Sequence, residues 1–196
     1  MKKSEATRLE ILQKSFELIY AKGYQNTSID DILATTRLTK GAFYYHFKSK
    51  DEMGLAIINE LMKPVLNRSL IQPLMNASDP SKAIYDMMYG LLMENPFLRV
   101  EYGCPAANFS QEMTPWNADF SLALNEVTDS WKKALSNVIE QGKKSGHFRN
   151  DVPARQVTLF ILTGYWGVRN LGKLENSKKT YLLYLKELKS YLASLR

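Results

Sequence analysis

Apolar residues recur at three- and four-residue intervals along almost the whole chain, and short runs containing Gly, Pro, Asn or Asp separate the periodic stretches. From Glu5 to Lys22, Leu9, Leu12, Phe16, Ile19 and Tyr20 fall close to one helical face, and Gly23 stands where a C-terminal stop belongs. Ile29, Ile32 and Leu33 predict a short helix from Ser28 to about Thr35, with Thr27 as its N-cap and Asp30 at N3 in a pair resembling a capping box. A turn around Thr36 and Arg37 follows, in which Leu38 tucks inward, and Thr39 caps a second short helix running to about Tyr45. Ser49, with Glu52 at N3, opens a fourth helix carrying Met53, Leu55, Ile57, Ile58, Leu61 and Met62, which Pro64 should kink or end.

The same periodicity continues. Pro73 and residues 76–80 mark a break, after which Asp79 as N-cap and Pro80 at N1 open a helix over Ser81 to about Glu94, stopped by Asn95-Pro96. Pro105 begins a short helix with Ala106, Phe109 and Met113 near one face, and Thr114-Pro115 begins a long one from Trp116 to about Lys144. Asp151 is read as the cap of a helix that contains residues 157–172, the most apolar stretch of the chain, and Ser177 or Asn176 opens the last helix. No strand pattern is found. The prediction is an all-α protein of about nine helices: a three-helix unit over residues 1–48 and a six-helix body over 49–196, with the helix of residues 49–64 linking the two.

Two short helices joined by a turn of three or four residues describe a helix-turn-helix. The second helix has the chemistry of a reading element. Lys40 brings charge, Gly41 and Ala42 are small enough for close backbone approach, and Tyr44, Tyr45 and His46 carry hydrogen-bonding tips on flat apolar bodies. A DNA major groove about 12 Å wide admits such a helix, with phosphate contacts fixing its register. Thr39, Lys40, Gly41 and Ala42 are therefore assigned to groove contacts, and Thr27, Tyr44, Tyr45, His46 and Lys50 to phosphates, while Phe43 and Phe47 face the core. Lys2 and Lys3 form either a basic arm that reaches DNA or a frayed tail.

Charge supports this placement more by distribution than by size. The chain carries +6 overall, and the first 50 residues hold nine Lys or Arg against five acids, the footprint of a polyanion binder. No apolar run approaches the roughly 18 residues that span a bilayer and the N-terminus lacks a signal-peptide core, so the expectation is a cytoplasmic protein without membrane contact. A single Cys104 forbids an intrachain disulfide, and His46 and His147 alone provide no zinc spacing. GxSxG, P-loop and GxGxxG patterns are absent, and His46 has no neighbouring nucleophile. Neither a catalytic residue nor a metal nor a cofactor is expected, and the chain is read as no enzyme.

At this point a family resemblance becomes specific. The run LTKGAFYYHFKSKDE, preceded by AKGYQNTSIDDI, resembles the signature of the TetR family of bacterial one-component regulators over residues 5–60. The resemblance implies a homodimeric repressor that binds double-stranded operator DNA and leaves it when a small apolar or aromatic effector fills the body. It also implies that the last two helices, about Ala154 to Lys173 and Ser177 to Leu195, pair with their copies, using Leu159, Ile161, Leu162, Leu182 and Leu185 with close approach at Gly164 and Gly167. Met88, Leu92, Phe109, Met113, Phe120, Trp131 and Trp166, joined by Cys104 and Asn108, are the proposed pocket residues; for any one Met or aromatic among them plain core is the more ordinary reading, and the resemblance favours a pocket only for the set. Asn108, Gln111 and Glu112 either orient a ligand or satisfy a helix terminus, Cys104 is either a redox sensor or a small buried hydrophobe, and His147 is expected to be exposed. The competing reading is an all-helical enzyme or ligand carrier that keeps the helix-turn-helix as scaffold.

Overall fold

Side-chain caps set the helix boundaries in the N-terminal third, and the computed structural model, which describes residues 3–75 and 77–196, places each of them. Lys2 of the basic arm and Asn76 of the predicted break lie outside the described residues. Helix α1 (Lys3–Lys22) stops at Gly23, whose φ of 92° is a left-handed conformation that a side chain would strain. Helix α2 (Ile29–Ala34) is capped by Ser28, one residue later than predicted: Ser28 Oγ accepts from Asp31 N at 3.0 Å and Asp31 Oδ2 accepts from Ser28 N at 2.8 Å. The expected Thr27 and Asp30 pair does not form, because Thr27 is fully buried with its hydroxyl donated to Gly23 O at 2.7 Å. Helix α3 (Lys40–His46) begins at the expected cap, Thr39, whose Oγ1 accepts from Ala42 N at 3.2 Å. Ser49 Oγ likewise accepts from Glu52 N at 3.0 Å to open α4.

Pro64 does not end α4. The helix opens as Lys50–Ala56, widens into π-helical turns at Ile57–Met62, continues through Lys63–Leu66 and Asn67–Ile71, and closes in a 3-10 turn at Gln72–Leu74. A proline ring crowds the carbonyl four residues back and supplies no N–H, and a π turn accommodates both by shifting the bonding register.

Asp79 and Pro80 open α5 (Pro80–Tyr89, continued as a π turn over Gly90–Glu94) as expected, with Asp79 Oδ1 accepting from Lys82 N at 2.9 Å. A 3-10 turn at Val100–Tyr102 precedes α6 (Pro105–Met113). Helix α7 (Ala118–Lys144) starts later than predicted because the capping oxygen belongs to Asn117, whose Oδ1 accepts from Asp119 N at 3.0 Å. Asp151 does not cap α8 (Ala154–Glu175); Pro153 occupies the N-cap and Asp151 pairs with Arg149 at 3.3 Å. Asn176, at φ 47°, ends α8 instead of opening α9 (Lys179–Ser194), while Ser177 Oγ accepts from Lys179 N at 3.2 Å. With the π and 3-10 stretches of α4 and α5 taken as parts of those helices, nine helices and no strand occur among the described residues, the expected all-α class.

Packing divides the chain into two units. The first comprises the chain up to Val65 together with Pro105–Asn125, so α6 and the start of α7 belong to the core that carries the helix-turn-helix. Ile11, Leu12, Tyr24, Ile32, Phe43, Met53 and Phe120 are buried there. Tyr24 packs edge-on against Phe120 at 5.3 Å and tilted against Phe109 at 5.7 Å, and its hydroxyl donates to Asp51 Oδ1 at 2.6 Å. Burial, reinforced by that carboxylate, pushes the Tyr24 phenol well above its ordinary range.

The second unit comprises Leu66–Cys104 and Glu126–Arg196, with Ile84, Met88, Leu135, Ile139, Ile161 and Leu185 in its core. Helix α9 lies against α8 and α5. A fully buried Arg169 on α8 donates to the carbonyls of Leu98 and Arg99, both at 3.0 Å, and to that of Gly103. His147 is not exposed as expected: its Nε2 lies 3.0 Å from Ser81 Oγ and 3.2 Å from Asp79 Oδ1, which fastens the turn after α7 to the start of α5.

Candidate nucleic-acid interface

The reading helix is held by its two phenylalanines. Phe43 on α3 is 0% exposed and Phe47, the extended residue that caps the helix C-terminus, is 1% exposed, so the side of α3 opposite Phe43 is turned outward. Arg8 of α1 secures its end: the guanidinium lies 4.3 Å over the Phe47 ring, donates to His46 O at 3.1 Å, and pairs with Glu60 at 2.5 Å. One cation thus satisfies a carbonyl left over at the C-terminus of α3 and ties α1, α3 and α4 together.

The outward side carries the groups that sequence reasoning singled out. Thr39, Lys40 and Gly41 are exposed, Ala42 and His46 half-buried, and Tyr44 and Tyr45 exposed at 47% and 78%. Tyr45 stands edge-on to His46 at 4.9 Å. A Cβ added at Gly41 would have only Thr39 Oγ1 near it, at 3.9 Å, so nothing inside the protein requires glycine there. Lys40 Nζ lies 3.1 Å from Asp30 Oδ1, and that hydrogen bond and charge hold the ammonium above its ordinary pKa.

Two of the expected phosphate ligands are placed otherwise. The buried Thr27 hydroxyl cannot meet a phosphate. Lys50 turns inward, its ammonium donating to Tyr24 O and Thr27 O at 3.1 Å each and lying 4.5 Å over the Tyr24 ring, so it fastens the α1–α2 turn. Exposed cations that sequence reasoning counted but did not single out, Arg37 and Lys48, flank α3 on either side. Their positions in the basic first quarter were the only available signal.

The residues assigned to a pocket fall in both units. In the first, Phe109, Met113 and Phe120 are buried, and Phe109 stacks on Phe120 at 6.1 Å. Glu112 accepts from Gln25 N at 2.9 Å, the backbone-satisfying alternative, while Asn108 borders a cavity of about 10 Å³ beside Tyr20 and Tyr24, room for no more than one water. In the second, Met88, Leu92 and Cys104 are buried, Trp131 meets Tyr165 edge-on at 5.2 Å, and Trp166 is half-buried. Trp131 Nε1 and Thr158 Oγ1 are buried there without a hydrogen-bond partner. Of the side chains assigned to dimerisation, Ile161, Leu162 and Leu185 are buried within the chain and Gly164 makes room for Tyr184, whose hydroxyl donates to Ile161 O at 3.1 Å. Leu159 and Leu182 remain outward, joined by Phe160, Leu171, Leu174 and Leu183. Phe160, Tyr184 and Tyr191 also border an open groove of about 450 Å³. Among the described residues no group of three His, Cys, Asp or Glu is placed to hold a metal ion, and no helix is long and apolar enough to cross a membrane.

Comparison with known proteins agrees with this geometry. Residues 11–57 match the family model described as bacterial regulatory proteins, tetR family, and residues 82–187 match a tetracyclin repressor-like C-terminal domain. The chain is 34% identical, over 67% of its length and 68% of the relative's, to an HTH-type transcriptional regulator in the lacX 3' region of Lactococcus lactis subsp. lactis. It is 25% identical to the HTH-type transcriptional repressor DhaR of Mycobacterium sp. (strain GP1), over 88% of its own length and 85% of that protein's. In fold it is similar to a TetR transcriptional regulator of Chloroflexus aurantiacus J-10-FL, with a TM-score of 0.87, 24% identity, and coverage of 98% and 97% of the two chains.

Proposed function

Because the chain belongs to the TetR family and is a DNA-binding helix-turn-helix transcriptional regulator, we propose that it works as a cytoplasmic homodimeric repressor released from its operator by a small apolar or aromatic molecule. The observation that carries this reading is the outward side of α3. Thr39, Lys40, Gly41, Tyr44, Tyr45 and His46 stand on a helix anchored by two buried phenylalanines and an arginine, with exposed cations beside it. Groove contacts fall to Thr39, Lys40, Gly41 and Ala42, and backbone contacts to Tyr44, Tyr45, His46, Arg37 and Lys48.

Dimerisation is supported by the apolar side chains that α8 and α9 leave outward, Leu159, Phe160, Leu171, Leu174, Leu182 and Leu183. Two reading helices are needed because half-sites lie one helical turn, about 34 Å, or a multiple of it apart. A pocket in the second unit is supported by Trp131, whose buried Nε1 has no hydrogen-bond partner and would be satisfied by a ligand, in a unit whose buried apolar side chains include Met88 and Leu92. The effector acts by preferring a DNA-incompetent state, and a full switch from 1:99 to 99:1 takes about 5.5 kcal/mol of differential affinity.

The test is reciprocal linkage. Small apolar and aromatic compounds are screened for those that weaken binding to DNA upstream of the gene, and a positive compound is titrated calorimetrically with and without operator. The compound should weaken operator binding by the same factor by which operator weakens the compound. A panel in which no compound changes operator affinity contradicts the release mechanism and leaves a constitutive regulator.

A further inference from the structure

Asp30 places a carboxylate on the face assigned above to DNA, against the one lysine of the reading helix. Lys40 Nζ lies 3.1 and 3.4 Å from its two oxygens, and the side chains are 58% and 74% exposed. Asp30 is not needed for the cap of α2, which Ser28 and Asp31 complete between themselves. Nor does an exposed ion pair of this kind add much to folding. A carboxylate here is costly to a polyanion binder, since it repels phosphates and competes with them for Lys40. Non-specific binding comes from cations free to neutralise phosphate, and a lysine already paired contributes little of it.

Resting on the assignment of this face to DNA, we propose that Asp30 is a specificity-determining residue, holding Lys40 off the phosphate backbone and releasing it to a base edge that outcompetes the carboxylate. Guanine provides that edge, with O6 and N7 as two acceptors in the major groove. The cytosine N4 amino group of the same base pair is a donor that a carboxylate accepts. Lys40 and Asp30 therefore engage a G·C pair together, whereas a phosphate meets Lys40 only against the opposition of Asp30. The pair lowers affinity for DNA in general and raises the ratio of operator to random sequence.

The intact protein and its Asp30→Asn, Asp30→Glu, Lys40→Ala, Asp30→Asn/Lys40→Ala and Tyr45→Ala variants are titrated by fluorescence anisotropy over a salt series, against operator and scrambled duplexes, with circular dichroism confirming the fold. One fully freed charge is worth about 0.9 in the log–log salt slope and so about eightfold at 0.1 M salt. Asp30→Asn should tighten scrambled DNA by about three- to eightfold and steepen its slope by up to about 0.9, lowering the specificity ratio. Asp30→Glu should restore the ratio, and the greater part of the effect should be lost in the Lys40→Ala background, leaving only the direct repulsion of phosphate by the carboxylate. Equal tightening in that background means a general repulsive charge and overturns the proposal, as does unchanged affinity for scrambled DNA. If Lys40→Ala and Tyr45→Ala both bind operator as the parent does, the face itself is misassigned; if they weaken it while Asp30→Asn acts independently of Lys40, only the role of Asp30 is refuted.

Discussion

Gly41→Ala separates a role toward DNA from a role in the fold. The added Cβ would sit 3.9 Å from Thr39 Oγ1, its nearest neighbour, which is ordinary van der Waals contact. Gly41 is the second residue of α3, where alanine is the better helix former, and a helical Gly-to-Ala change is worth roughly 0.5–1 kcal/mol. At about 2–4 °C per kcal/mol for a chain of this size, Tm should rise by about 1–4 °C. Toward DNA the sign reverses. A methyl inserted where backbone and duplex meet closely acts like overpacking, about 1–3 kcal/mol, which corresponds to operator binding about five- to 150-fold weaker. Differential scanning fluorimetry and anisotropy on an operator duplex measure the two effects separately. Operator affinity within twofold of the parent would refute the close approach at Gly41, and a lowered Tm would refute the reading that the position is sterically open.

Three further outcomes follow from the packing. Phe120→Ala, in the fully buried cluster with Tyr24 and Phe109, should cost about 3–5 kcal/mol by chemical denaturation and raise amide exchange in α1 as well as α7, because Phe120 belongs to the core of the first unit. Leu182→Glu/Leu183→Glu, at outward positions of α9, should yield a monomer in sedimentation velocity at micromolar concentration with unchanged far-ultraviolet circular dichroism; an intact dimer would place the interface elsewhere. Asp79→Ala should cost about 1 kcal/mol at pH 7 through loss of the α5 cap. The Lys82 N–H holds the Asp79 carboxyl below the ordinary carboxylate range, so its stabilisation is complete above an unfolded pKa of about 3.9 and is lost as pH falls through the folded value. Urea titrations of parent and variant should therefore converge under acid conditions.

The reading element was legible because its determinants are local. Thr39 and Ser49 cap as their spacing to Ala42 and Glu52 implies, and Phe43 and Phe47 are both buried as expected, although Phe47 lies just past the helix in an extended conformation. The one-residue error at α2 arose because Thr27 and Ser28 are both able to cap, and only the burial of Thr27 beneath Gly23 O decides between them. Long-range ties were not legible. The grip of Arg8 on His46, the inward turn of Lys50 and the pairing of Asp30 with Lys40 join residues 38, 23 and 26, and 10 positions apart, where no sequence period operates. For the same reason α6 read as part of the body, although Phe109 and Phe120 close around Tyr24 in the first unit.

The central claim, that the outward side of α3 reads DNA, is tested most directly by titrating the DNA upstream of the gene and a scrambled duplex with the parent protein and Tyr45→Ala across a salt series. Tyr45 is 78% exposed, so its truncation leaves the fold intact. The expected result is a linear fall of log K with log salt, with a slope of several phosphates, and an upstream site bound at least about 10³-fold tighter than the scrambled one. Tyr45→Ala should weaken both duplexes. Binding insensitive to salt, equal for the two duplexes and unchanged in the variant would contradict the assignment.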